Sequence, residues 1–195
     1  QQRSSAASDV YKRQQQPAGL GHAVWCARHL VGSEPVAVLL ADDLILGASC
    51  VKEMVDAYKG GNMVAVMDVP HEQTGSYGIV TPGADDGRIV QVEGLVEKPD
   101  PSSAPSNIAV VGRYIITPEV FETLAAQERG AGGEIQLTDA LAKQIGKAPF
   151  SGVRFSGERF DCGSKLGFLQ ANVAFGLNND AMRDQLRDWL GERLG

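Results

Sequence analysis

The stretch that most constrains this chain is "EPVAVLLADDLIL", residues 34–46, a continuous apolar run carrying the paired carboxylates Asp42 and Asp43. Such a run reads as a buried parallel strand that delivers two acids at its carboxyl edge. In open α/β sheets that edge is where ligands sit. Val51, Met54, Val55 and Tyr58 then recur at helical spacing, with Ser49 as a cap and Gly60-Gly61 as a stop. "NMVAVMDVP", residues 62–70, supplies a second buried strand. Strand, helix and strand make a right-handed crossover of a doubly wound sheet.

From Ser76 to Thr117 the pattern changes to short strands, "YGIVTP", "RIVQVEGLVEKP" and "NIAVVGRYIIT", separated by Gly, Pro and Asp turns. These read as a ribbon added to the parallel core, forming one wall of a cleft. Helices are expected over "TPEVFETLAAQ", "EIQLTDALAKQIG" and "SKLGFLQANVAFGL", and in a last segment with Met182, Leu186, Trp189 and Leu190 on one face. "FSGVRFSGERFDCG" reads as a strand leading into a loop. Residues 1–13 are polar and without period. They are expected to be a leader outside the fold, with one domain over 14–195.

The net charge of −6 argues against a binder of nucleic acid or anionic membrane, which would need clustered cations. Any phosphate chemistry must rest on a few placed cations or a metal. Three cysteines without CxxC spacing give neither a disulfide framework nor a zinc site, and no apolar run approaches a membrane span. The cytoplasm is the expected compartment.

Several residues carry chemistry, each with a plainer alternative. Asp42 can ligate Mg²⁺ through hard oxygen, or Asp42 or Asp43 can cap the next turn. Glu97 and Lys98 can accept from sugar hydroxyls and pair a phosphate, or form a solvated face. Asp161 and Lys165 open a helix where an anion is favoured, although Asp161 can equally be that helix's cap. His22, beside the glycines of "GLGHA", reads as a packing or hydrogen-bonding histidine rather than a base.

Taken in order, "QPAGLGHAVWCARHLVGSEPVAVLLADDLI", "YGIVTP", "GLVEKP", "SNIAVVGRYIITPEVF", "GGEIQLTDAL" and "FDCGSKLGFLQANVAFGL" strongly resemble the bacterial UTP–glucose-1-phosphate uridylyltransferases. The resemblance covers about residues 15–195. It implies an α/β, Rossmann-like nucleotidyltransferase fold with a mostly parallel sheet, flanking helices and an added β-ribbon. It also implies transfer of a uridylyl group from UTP to glucose 1-phosphate, giving UDP-glucose and pyrophosphate with Mg²⁺. Gln14 would read the uracil edge, and Gly19 and Gly21 would let the backbone approach the base. Asp42 and Asp161 match the metal positions, Tyr77, Gly78, Glu97 and Asn107 match sugar-facing positions, and Lys98 matches the lysine on the glucose phosphate. The complete enzyme is expected to be a homo-oligomer.

The family opens with a strand and a basic Gly-rich segment of the type GxGTRxxPxTKxxPK, which this sequence lacks. The chain is therefore expected to be an amino-terminally truncated, carboxyl-terminal two-thirds of such an enzyme, with the first strands missing and a sheet edge exposed. The alternatives are the related glucose-1-phosphate thymidylyltransferase and a noncatalytic module that binds sugar nucleotides. "GLGHAV" and "GGEIQLTDA" favour the uridylyl enzyme.

Overall fold

The computed structural model describes residues 12–195. The expected leader over 1–13 lies outside them except for Lys12 and Arg13, which are irregular. A short helix α1 (Leu20–Cys26) precedes strands β1 (Val36–Leu39) and β2 (Asp43–Leu46), and helix α2 (Cys50–Ala57) leads into β3 (Asn62–Asp68). A hairpin of β4 (Gly78–Asp85) and β5 (Ile89–Glu97) is followed by β6 (Ile108–Ile116). Then come α3 (Pro118–Leu124), α4 (Leu137–Ala142), β7 (Phe150–Arg154), β8 (Glu158–Asp161), α5 (Lys165–Leu177) and α6 (Arg183–Leu194).

Six strands form one sheet in the order β1-β6-β3-β7-β5-β4, while β2 and β8 pair separately. An α/β architecture with a sheet flanked by helices is the one expected, but the sheet is mixed rather than mostly parallel. Only β3 and β7 pair in parallel among the described strands, because β6 inserts between β1 and β3 and runs against both. "NIAVVGRYIIT" is thus a central strand, and the added ribbon consists of β4 and β5 alone.

The 34–46 run also divides. Leu40–Asp42 turn, so the apolar stretch supplies β1 to the main sheet and β2 to the small one. In the described sheet β1 is an edge strand antiparallel to β6, and alternate residues are exposed, Leu39 to 51%. The expected buried parallel strand is therefore half-buried. Likewise "FSGVRFSGERFDCG" holds two strands in different sheets, β7 and β8.

β3 shows why a continuous apolar run suits the centre. Val64 and Val66 pack on one face with Leu124, Leu137 and Leu141 from α3 and α4, while Met63 and Ala65 pack on the other with Cys50 and Met54 of α2. Successive strand residues point to opposite faces, so a strand covered on both sides needs no polar alternation. Burying each such side chain contributes about 1.5–3 kcal/mol. Ser49 caps α2 as expected, accepting from the Lys52 amide. The apolar positions of the last segment are not a buried face. Leu186 reaches Gly176 of α5, but Met182 and Trp189 are about half exposed and no residue of α6 is buried.

Candidate active site

The site is built on the Leu40–Asp43 turn. Leu40 N donates to Gly112 O at 2.9 Å, and Arg113 donates to the carbonyls of Leu40 and Asp43. Asp43 is 5% exposed, accepts from Gly112 N at 2.6 Å and is ion-paired with Arg159. Neither carboxylate caps a helix. Asp43 is occupied structurally, whereas its neighbour Asp42 is exposed and its side chain makes no hydrogen bond among the described residues.

β2 and β8 then bring the second acid alongside. Asp43 lies opposite Asp161 in the ladder, and Cys162 N donates to Asp42 O at 2.7 Å. A Cβ on Gly163 would lie 3.0 Å from Asp161 Oδ1 and 3.4 Å from Asp42 Oδ2, so the two carboxylates converge on the space that this glycine leaves free. Asp161 is not the cap of α5. Ser164 is, accepting from Gly167 N at 3.0 Å, and Asp161 accepts from Gly163 N instead. Among the described residues no group of three or more His, Cys, Asp or Glu could cage a metal. Two hard-oxygen donors fit a Mg²⁺ ion that takes its remaining ligands from water and substrate phosphates.

Beside this pair lies a cavity of about 190 Å³ whose lining includes Tyr77, Gly78, Glu97, Thr138, Arg159 and Asp161. Gly78 pairs with Glu97 across the β4–β5 hairpin. A Cβ on Gly78 would sit 3.2 Å from Glu97 Oε2 and 3.3 Å from Thr138, so this glycine keeps the Glu97 carboxylate reachable. Larger hollows lie elsewhere, one of about 660 Å³ beside His22 and Trp25, but they do not hold this set of carboxylates. Tyr114, on the cavity wall, has its phenol pKa raised well above the ordinary value, chiefly by burial and then by the charges of Glu97 and Asp43. Burial pulls the Arg159 pKa down, but the hydrogen bond and charge of Asp43 outweigh it and the net shift is upward. Arg159 stays charged.

Glu97 is not part of a solvated face, since its side chain is only 11% exposed, while that of Lys98 is 53% exposed. Lys98 has φ +46, a left-handed conformation that a non-glycine residue adopts at a cost of order 1–3 kcal/mol. Its amide donates to Tyr77 O at 2.9 Å and its ammonium lies 3.8 Å from Glu97 Oε1. Lys98, Asn107 and Lys165 do not line the cavity. The Asn107 carbonyl accepts from Val69 N at 3.0 Å, and Lys165 stands exposed at the start of α5.

The glycines of "GLGHA" are used within the chain. Gly19, at φ +106, and Gly21 would each place a Cβ within 2.8 Å of Ile135 O, so the close backbone approach they permit here is to residues 134–136 rather than to open space. Gln14 donates to Gly19 O at 3.0 Å and lies 2.8 Å from His22 Nδ1, tying the block together. His22 also stacks on Trp25, a packing and hydrogen-bonding histidine as expected. Leu20, between the two glycines, reaches the cavity wall. Sequence reasoning weighed Asp43 only as a turn cap, not as the partner of Arg159, and missed Arg159 and Thr138. Arg159, a basic residue inside a four-residue strand between Glu158 and Phe160, was the available signal.

The sequence model of the family described as nucleotidyl transferase matches residues 2–176. The chain is 52% identical over 176 residues to the UTP–glucose-1-phosphate uridylyltransferase of Komagataeibacter xylinus, covering 89% of this chain and 60% of that protein. It is 45% identical over 186 residues to the enzyme of the same name from Bacillus subtilis, covering 94% and 64%. A solved UDP-glucose pyrophosphorylase complexed with UDP-glucose superposes with a TM-score of 0.83 at 39% identity, covering 87% of this chain and 66% of that one. The chain thus spans about 60–66% of the length of these relatives. With the family model matching most of its length, the chain belongs to the nucleotidyl transferase family, and the relatives it resembles here are UTP–glucose-1-phosphate uridylyltransferases.

Proposed function

We propose that this chain carries the sugar and metal side of a site that transfers a uridylyl group from UTP to glucose 1-phosphate, releasing pyrophosphate and forming UDP-glucose. The observation that carries this reading is the junction of the Asp42–Asp161 pair with the cavity of Tyr77, Gly78 and Glu97, in a chain whose relatives bear that activity in their names. Glu97 accepts hydrogen bonds from sugar hydroxyls, a task for which a largely enclosed carboxylate on the cavity wall is suited. Lys98 meets the glucose phosphate as a point charge, and Lys165 adds positive charge where α5 begins. Asn107 completes the sugar-facing set. Gln14 stands on the uracil side, carried by the turn that Gly19 and Gly21 pack against residues 134–136.

Asp42 and Asp161 would hold Mg²⁺, which would supply charge stabilisation at the transferring phosphates. The glucose 1-phosphate oxygen attacks the α-phosphorus of UTP in line, one P–O bond forms as another breaks, and pyrophosphate departs. Positioning and electrostatics then carry the rate, with no covalent enzyme intermediate. Self-association of the complete protein and a cytoplasmic setting belong to the same reading. Among the described residues no helix is long and apolar enough to cross a membrane.

Pyrophosphate release from UTP and glucose 1-phosphate with Mg²⁺, compared with dTTP, tests the proposal. Release that prefers UTP is expected of the chain supplied within its full-length protein. Preference for dTTP, or release without glucose 1-phosphate, contradicts it.

A further inference from the structure

We propose that Arg159 is a positioning residue that couples the metal side of the site to its sugar side, an inference that rests on the function proposed above. Its guanidinium pairs through Nε with Asp43 Oδ1 and donates through an Nη to the Tyr77 hydroxyl at 3.2 Å. Both members of the ion pair are largely withdrawn from solvent, Arg159 to 12% and Asp43 to 7% side-chain exposure. Asp43 in turn accepts from Gly112 N, so the arginine is anchored to the central strand β6.

Each arm of this link reaches a different functional group. Through Asp43 it fixes the turn whose next residue back is Asp42. Through Tyr77 it fixes the residue whose carbonyl accepts from Lys98 N and which directly precedes Gly78 on the cavity floor. A planar guanidinium can serve both arms at once in a fixed fork, which an ammonium cannot do with the same geometry. Among the described residues Arg159 is also the one cation lining a cavity that Asp43, Glu97 and Asp161 make acidic. It therefore balances charge that would otherwise repel a phosphorylated sugar. Enclosed, hydrogen-bonded pairs of this kind hold geometry even where they add little net stability.

The test compares Arg159→Lys, Arg159→Met and Tyr77→Phe with the unaltered chain. In ligand-free protein, amide hydrogen exchange of Arg159→Met is expected to accelerate in both 40–43 and 76–78, whereas Tyr77→Phe accelerates only 76–78. Calorimetry with Mg²⁺ is expected to show UDP-glucose affinity falling about fivefold or more in Tyr77→Phe and Arg159→Met, a hydrogen bond's worth, with UMP affinity held and Arg159→Lys intermediate. Exchange that changes in one segment but not the other in Arg159→Met overturns the coupling. So does a parallel loss of UDP-glucose and UMP affinity, which marks a folding role alone. Should Arg159→Met fail to fold, unchanged UDP-glucose affinity in Tyr77→Phe still overturns it. If the unaltered chain binds no UDP-glucose, the functional reading fails, and the exchange data decide the coupling independently.

Discussion

At the scale of single residues, neighbouring carboxylates have opposite duties. Asp42 is exposed and free of side-chain hydrogen bonds among the described residues, whereas Asp43 is enclosed and doubly bonded. Asp42→Asn is expected to leave thermal stability within about 0.5 kcal/mol, as for an exposed position, while weakening Mg²⁺-dependent nucleotide binding. Asp43→Asn is expected to destabilise by about 3–5 kcal/mol, because it strands a buried arginine. Thermal melts and metal titrations check both, and equal behaviour of the two variants contradicts the assignment. Cys50 offers a second check. Burial, against the counteracting charge of Arg113, pushes its thiol up to about 11. The protonated thiol is the form the fold favours, so its stabilising contribution is complete below the ordinary cysteine value of about 8.5 and is lost as pH rises towards 11. Alkylation of the native chain at pH 8 is expected to spare Cys50 and to label it on denaturation. Rapid native labelling of Cys50 contradicts that picture.

At the scale of elements, the sequence conveyed periodicity well and connectivity poorly. α2 with its Ser49 cap, β3, α5 and the β4–β5 hairpin were legible because each has a local cause: a cap, a two-sided apolar strand, a helical repeat, or turn residues. The break at Leu40–Asp42 was not, since nothing in an apolar run says that a hydrogen bond to the Gly112 carbonyl and one from Arg113 will turn it there. Nor could spacing reveal that β6 crosses the sheet between β1 and β3, a consequence of long-range pairing. The site followed the same rule. Asp42, Asp161, Tyr77, Gly78 and Glu97 were legible as residues, while the Asp43–Arg159 link joins positions far apart in the chain. The glycines of the last two helices separate packing from propensity. A Cβ on Gly167 would lie 2.0 Å from Asp161 O, whereas one on Gly191 meets nothing within 4 Å. Gly191→Ala is expected to stabilise by about 0.5–1 kcal/mol through helix propensity. Gly167→Ala is expected to destabilise and to shift Asp161, seen as weaker metal binding. Melting curves of both variants decide the signs.

At the scale of the molecule, an acidic chain handles phosphates through local charge. In the proposed function Lys98, Lys165 and Arg159 act beside the Asp42–Asp161 carboxylates, so the net charge of −6 is no obstacle. The candidate site is divided between a β4–β5 wall and the β2–β8 corner, so the proposed sugar binding depends on how the small sheet seats against the large one. On the proposed function this chain builds the sugar-phosphate half of a uridylyltransferase site. Calorimetric titration with UDP-glucose and Mg²⁺, repeated with Lys98→Ala, decides this. Saturable binding is predicted, weakened about tenfold by the substitution, or roughly 1.4 kcal/mol, since the lysine is half exposed. A folded chain that binds no UDP-glucose, or binds it equally well without Lys98, contradicts the account.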